Sequence, residues 1–158
     1  MNILEKLRQG VTTRSAEETR TLAAELAATL GPDTTLALHG DMGVGKTTFV
    51  QGLARGLGVG EQVTSPTFAI YTVHRAAGPA RRKEAGRTLV HLDAYRLENE
   101  HQIEELLLEE FLTSPWVLAV EWPEKIAAWL PPTTMHLALS IVDGDRHRIS
   151  LLTASAGG

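Results

Sequence analysis

Gly40, Gly45, Lys46 and Thr47, in the stretch "GDMGVGKTT", satisfy the pattern G-x-x-x-x-G-K-[ST], and those residue types have a chemistry. Gly43 and Gly45 lack a Cβ, so the backbone there can curl tightly and aim successive N–H groups at an anion. The positive end of a helix beginning near Lys46 reinforces that field. A lysine ammonium in this position suits the β- and γ-phosphates of a nucleoside triphosphate, and the Thr47 hydroxyl suits the accompanying Mg²⁺. A glycine-rich turn with an incidental lysine is the simpler alternative. The apolar run "TTLALH" before the loop and the helix-forming "KTTFVQGLARGLG" after it supply the context that the motif requires, and they weigh against that alternative. The expected nucleotide contacts are Asp41, Gly43, Val44, Gly45, Lys46, Thr47 and Thr48.

A phosphate cradle needs acids beside it. Asp93 closes the apolar run "TLVHLD" and Glu121 closes "WVLAVE", and ligands of open α/β sheets sit outside the carboxyl ends of the strands. An acid after a strand is ordinarily a solvated turn residue or a helix cap. Here the cradle already implies a metal nearby, so Asp93 and Glu121 are read with Lys46 as the catalytic set, their division of roles left open. The segment "TSPTF" offers the hydroxyls of Thr64, Ser65 and Thr67. On residue types alone it is equally a switch ordered by a γ-phosphate or the plain start of a strand at Ser65-Pro66. Trp122 fits a site wall and a packed strand end alike, and Arg96 reads more readily as a surface ion pair than as a phosphate ligand. The base of a nucleotide has no motif here; the segment near Ser15 and the hairpin near Arg146 are the walls available to it.

The elements that must position these groups alternate. "SAEETRTLAAELAATLG" opens with a capping box of Ser15 and Glu18, repeats Leu22, Leu26 and Leu30 on one face, and stops at Gly31 before Pro32. The loop's own helix ends at Gly58. "PTFAIYTVHRA" and "RTLVHLDAYR" read as a hairpin joined by "AGPARRKEAG". "NEHQIEELLLEEFL" puts Ile103, Leu106, Leu107 and Phe111 on one helical face, "WVLAVEWP" is a strand cut off by Pro123, and "HLALSIVDGDRHRISLLTA" is a hairpin about Asp143-Gly144. Strands alternating with helices around such a loop predict one α/β domain over residues 1–158, of the three-layer P-loop NTPase-like kind, with a largely parallel core sheet and antiparallel hairpin additions.

Composition narrows the function classes. The 158 residues are 43% apolar and 22% charged, ordinary for a globular domain with a sizeable core. The absence of cysteine excludes disulfides, thiolate catalysis and cysteine-based metal sites. "MNILEKLRQG" carries charges where a signal peptide needs an apolar centre, so the expectation is a cytoplasmic protein that does not engage a membrane. A net charge of −4 argues against a protein whose main affinity is for DNA or RNA phosphates.

Five stretches in order, "GDMGVGKTTFVQGLARGLG", "TSPTF", "HLDAYRL", "EELLLEEF" and "VEWPEK", resemble the bacterial TsaE (YjeE) family, the small ATPase of the tRNA threonylcarbamoyladenosine pathway. The resemblance runs from about Thr12 to Leu152, and "TSPTF", H-x-D-x-Y-R and "EWPE" together are far more specific than the loop alone. It implies binding and hydrolysis of ATP with Mg²⁺, in support of threonylcarbamoyl transfer to N6 of adenosine 37 in tRNAs reading A-starting codons. The transfer itself falls to a TsaB–TsaD complex, through which the chain would meet tRNA. By the same resemblance Thr47 and Glu121 are the Mg²⁺ ligands, Asp93 activates or orients water, and "TSPTF" is a switch segment. The arginine-rich turn at Arg81, Arg82 and Lys83 is longer than is usual in the family. A small-molecule kinase and a nucleotide-gated binding module with negligible turnover are the competing functions, but no arginine-rich lid follows the core helices as a kinase requires.

Two charge clusters bear on partners. Glu98, Glu100, Glu104, Glu105, Glu109 and Glu110 crowd one region, and Arg75, Arg81, Arg82, Lys83 and Arg87 crowd the hairpin, which is expected to approach tRNA held by the partner complex. If the acidic region docks on that complex, reversing its charges weakens binding most at low salt; binding unchanged across a salt series contradicts it.

Overall fold

Apolar side chains alternate along the central strands, so each strand contributes to both faces of a sheet and both faces need covering. In the computed structural model, residues 1–41, 43–59, 63, 71–75, 87–98, 100–105, 108–110 and 112–152 are described. Seven strands form one mixed sheet: β1 (Val11–Thr13), β2 (Thr34–His39), β3 (Tyr71–Arg75), β4 (Thr88–Asp93), β5 (Trp116–Glu121), β6 (Met135–Asp143) and β7 (Arg146–Leu152). Their order is β1-β7-β6-β2-β5-β4-β3. The pairs β6–β2, β2–β5 and β5–β4 are parallel, and the antiparallel pairs lie outside them, β4–β3 on one side and β6–β7–β1 on the other.

Four α-helices accompany the sheet: α1 (Ile3–Gln9), α2 (Ala16–Thr29), α3 (Lys46–Leu57) and α4 (Glu100–Glu105). On one face Leu7, Leu26, Phe49 and Leu53 of α1 to α3 pack against Leu36, Leu38, Val117, Ala119 and Leu137. On the other, Ile103 of α4, Leu108 and Ile126 cover Val90, Leu92, Leu118 and Val120. The switch from Val117 and Ala119 on one face to Leu118 and Val120 on the other is the period of two made visible. No helix among the described residues is long and apolar enough to cross a membrane.

Several local expectations are altered. Ser15 caps α2 by accepting from the Glu18 N–H at 3.1 Å, but the Glu18 carboxylate reaches back to the Arg14 N–H, one residue outside the box. The reciprocal box occurs instead at Asn2 and Glu5, which start α1. α1 and β1 went unread because seven and three residues are too few to display a period. The helix expected from Asn99 onward is α4 followed by a 3₁₀ turn at Leu108–Glu110, whose tighter winding turns Leu108 into the core; Leu106, Leu107 and Phe111 lie outside the described residues. In the last hairpin Asp143 pairs with Arg146, so the two-residue loop is Gly144-Asp145 rather than Asp143-Gly144, with a bulge between Ile141 and Asp143. The β3–β4 turn with Arg81, Arg82 and Lys83 lies outside the described residues. Arg87, counted in the basic cluster, is half-buried and donates to the Leu30 carbonyl at 2.7 Å, tying the foot of β4 to the end of α2.

α2 and α3 approach closely because glycine lies between them. A Cβ on Gly52 would come within 2.4 Å of the Arg20 carbonyl oxygen and 2.7 Å of Ala23 Cβ, and the backbone cannot step aside as a flexible side chain could. Gly52→Val is therefore expected to lower the unfolding free energy by about 2–3 kcal/mol through overpacking. Gly31→Ala, whose Cβ meets nothing within 4 Å, is expected to be neutral or to stabilise by up to about 1 kcal/mol. Chemical denaturation of both variants checks the pair.

Candidate active site

Parallel pairing brings three strand ends together. Leu38 on β2 and Asp93 on β4 are both register partners of Glu121 on β5, so the chain leaving β2 enters the Gly40–Lys46 loop directly beside both acids. The loop's glycines are required by geometry. Gly40 has φ 152°, and a Cβ there would lie 2.5 Å from the Leu139 carbonyl oxygen and 2.7 Å from Val44 Cγ2. Gly43 and Gly45 occupy the left-handed region at φ 84° and 97°, which L side chains rarely adopt. Gly45 caps α3, whose first turn closes with Phe49 N–H donating to the Gly45 carbonyl at 2.9 Å. From the other side His147 Nδ1 donates to the Val44 carbonyl at 3.0 Å, which assigns the proton to Nδ1 and braces the loop against β7.

Gly43, Gly45, Lys46, Thr47, Thr48, Asp93 and Glu121 line one open cavity of about 430 Å³, whose wall is completed by Tyr95 and Trp122. The remaining expected contacts are distributed otherwise. Asp41 is exposed at the loop's start, and Val44 turns its side chain into the core, leaving only its backbone to the loop. Thr64, Ser65 and Thr67 lie outside the described residues. Arg96 is exposed and does not line the cavity, nor do Ser15, which caps α2, and Arg146, which pairs with Asp143 at the hairpin tip.

Lys46 is 5% exposed, and its ammonium is shared between two partners: it donates to the Gly40 carbonyl at 2.7 Å and sits 3.8 Å from the centroid of the Trp122 ring. Burial pushes its pKa below the ordinary lysine value, opposed by the charges of Glu121, Asp93, Glu124 and Asp41. Trp122 holds its place through a left-handed backbone at φ 58° and a tilted contact with Tyr95 at 5.1 Å, so both alternatives raised for it are realised in one ring, which packs at the strand end and lines the cavity.

The acids differ in environment. Asp93 is half-buried and accepts the Tyr95 N–H at 2.9 Å, so it caps the turn after β4 while its carboxylate faces the cavity. Glu121 is 5% exposed; its Oε2 lies 2.5 Å from His91 Nε2 and 3.5 Å from the Thr47 hydroxyl. His91 is absent from the site residues expected from the sequence. The available signal was the spacing of "HLD", which sets His91 and Asp93 on one face of β4. Among the described residues no three His, Asp or Glu side chains form a metal cage.

Fold and site together define a mixed α/β protein built around a glycine-rich loop between a strand and a helix, with acids on the adjoining ends of parallel strands. Residues 13–149 match the family described as "Threonylcarbamoyl adenosine biosynthesis protein TsaE", and the chain belongs to that family. It is 35% identical over 135 residues to the tRNA threonylcarbamoyladenosine biosynthesis protein TsaE of Treponema pallidum, covering 84% of this chain and 93% of that protein. The proteins of the same description from Bacillus subtilis and Streptomyces coelicolor are 36% and 39% identical, covering 87% and 80% of this chain and 81% of each relative. The crystal structure of Bacillus subtilis YdiB superposes with a TM-score of 0.66 at 31% identity, over 90% of this chain and 82% of that one.

Burying Lys46 costs folding free energy while its ammonium is charged. With its pKa lowered in the fold, wild-type stability rises with pH through the interval between that lowered value and the ordinary lysine value, because there the unfolded chain binds more protons. Lys46→Met is therefore expected to raise the unfolding midpoint of the ligand-free protein near neutral pH, with the advantage shrinking as pH climbs through that interval. A pH series of thermal unfolding checks it, and a variant less stable than wild type at neutral pH contradicts it.

Proposed function

We propose that this chain is a P-loop ATPase that binds ATP with Mg²⁺ and hydrolyses it to support threonylcarbamoyl transfer to N6 of adenosine 37 in tRNAs reading A-starting codons, acting in the cytoplasm with the TsaB–TsaD complex. Family membership supports the pathway. The observation that carries the chemistry is the convergence of Lys46, Thr47, Asp93 and Glu121 on one cavity beside a left-handed glycine loop at the ends of parallel strands.

The residues fit the groups implied. Mg²⁺ is a hard cation that keeps waters and phosphate oxygens and needs only one or two protein oxygens, and the Thr47 hydroxyl and Glu121 carboxylate, 3.5 Å apart, are such a pair. When bound, Mg²⁺ supplies stabilisation of negative charge on the phosphoryl oxygens. The N–H groups of the loop and the first turn of α3 bind and orient the phosphates. Lys46 gives up the Gly40 carbonyl and the Trp122 ring for phosphate oxygens, which repays its desolvation. Trp122 and Tyr95 restrict water on one side, and Asp93 accepts a hydrogen bond from the attacking water, orienting it. Thr64, Ser65 and Thr67 would complete the γ-phosphate side as a switch.

No described arginine lines the cavity to act as a finger in cis. Fingers supplied in trans are worth roughly 10³–10⁵ in turnover. The purified chain is expected to hydrolyse ATP slowly and to accelerate sharply when TsaB and TsaD are added, with Glu121→Ala binding ATP yet failing to support tRNA modification. Phosphate transfer to an added metabolite would establish the kinase reading instead, and modification surviving in Glu121→Ala would establish a binding switch.

A further inference from the structure

His91 is completely buried in β4, opposite Ala119 of β5, one step deeper in the sheet than the Asp93–Glu121 pair and on the same face. Its Nε2 lies 2.5 Å from Glu121 Oε2, while its Nδ1 is buried without a hydrogen-bond partner among the described residues. A position used only for packing would be filled at lower cost by leucine, because a buried polar atom left unpaired keeps its desolvation penalty. The orphan also fixes the tautomer. A proton on Nδ1 would create a buried N–H with no acceptor among the described residues, the rarer and worse defect, which places the hydrogen on Nε2, pointing at Glu121.

Glu121 needs that hydrogen. Its carboxylate is 5% exposed, and the Thr47 hydroxyl at 3.5 Å is too distant to hold it firmly. His91 and Thr47 both address Oε2, and among the described residues nothing bonds Oε1. We propose that His91 is a positioning residue that clamps Oε2 of Glu121 through Nε2–H, fixing the carboxylate's rotation so that Oε1 is presented to the cation. It rests on the reading of Glu121 as a Mg²⁺ ligand given above. Hydrogen bonds behind a metal ligand of this kind are worth about 10–100-fold in metal affinity.

Two measurements test it. Nitrogen-15 NMR of the His91 imidazole in the ligand-free protein is expected to report the Nε2–H tautomer; an Nδ1–H tautomer overturns the clamp whatever the protein binds. Calorimetric ATP binding with Mg²⁺ and with EDTA then gives the metal-dependent gain in affinity. In His91→Leu that gain is expected to fall about 10-fold or more, with affinity in EDTA unchanged. His91→Gln, whose amide nitrogen reaches the position of Nε2, is expected to restore most of the gain and remains the test if the leucine variant does not fold. An undiminished gain in His91→Leu, or no restoration by His91→Gln in a folded protein, overturns the proposal. A wild-type protein without metal-dependent ATP binding overturns the nucleotide reading instead, and the tautomer still decides whether His91 holds Glu121.

Discussion

The parallel register of β2, β5 and β4 is the constraint on which the rest depends. Glu121 is opposite Leu38 on one side and Asp93 on the other, so one alignment brings together the loop after β2 and both acids. A slip of one residue in β5 would send Glu121 to the opposite face and bring Leu118 and Val120 among the residues of the α3 side. The two apolar layers enforce the register, because each strand of the centre is buried on both faces and neither layer tolerates the exchange. Position at the site is thus a by-product of packing some distance below it.

Above that frame the site is arranged against its own stability. Lys46 is desolvated, Trp122 occupies a left-handed conformation, and His91 keeps a buried nitrogen with no partner among the described residues. Each is a cost that a domain selected only for stability would avoid. The three converge on one volume: Lys46 against Trp122, Trp122 beside Glu121 in the chain, and Glu121 on His91. They are thus neighbours around the cavity that Lys46, Glu121 and Trp122 line, not scattered local imperfections.

Much of this was legible in the residues. Gly40 to Thr47 announces its own geometry, since few other uses exist for glycines and a lysine at that spacing between a strand and a helix. The strand-end positions of Asp93 and Glu121 follow from the apolar runs that precede them, and the structure sets both on one cavity. What stayed hidden is tertiary. His91 stands in the sequence only as the first residue of H-x-D-x-Y-R, and its bond to Glu121 cannot be read until β4 and β5 are aligned; the packing of Trp122 likewise depends on the ring's place under Lys46. The Glu18 cap and the loop of the last hairpin each shifted by one residue, which is where local sequence signals are weakest. α1 and β1 are held by contacts with β7, far along the chain, and carry little signal of their own.

Backbone amide shift mapping with ATP and Mg²⁺ decides whether the glycine loop, Lys46 and the strand-end acids form one nucleotide site. The largest perturbations are expected on Gly43 to Thr48, Asp93, Glu121 and Trp122. Perturbations centred instead on the groove between α2 and α3, lined by Arg20, Gln51 and Arg55, would contradict it, as would a spectrum that ATP leaves unchanged.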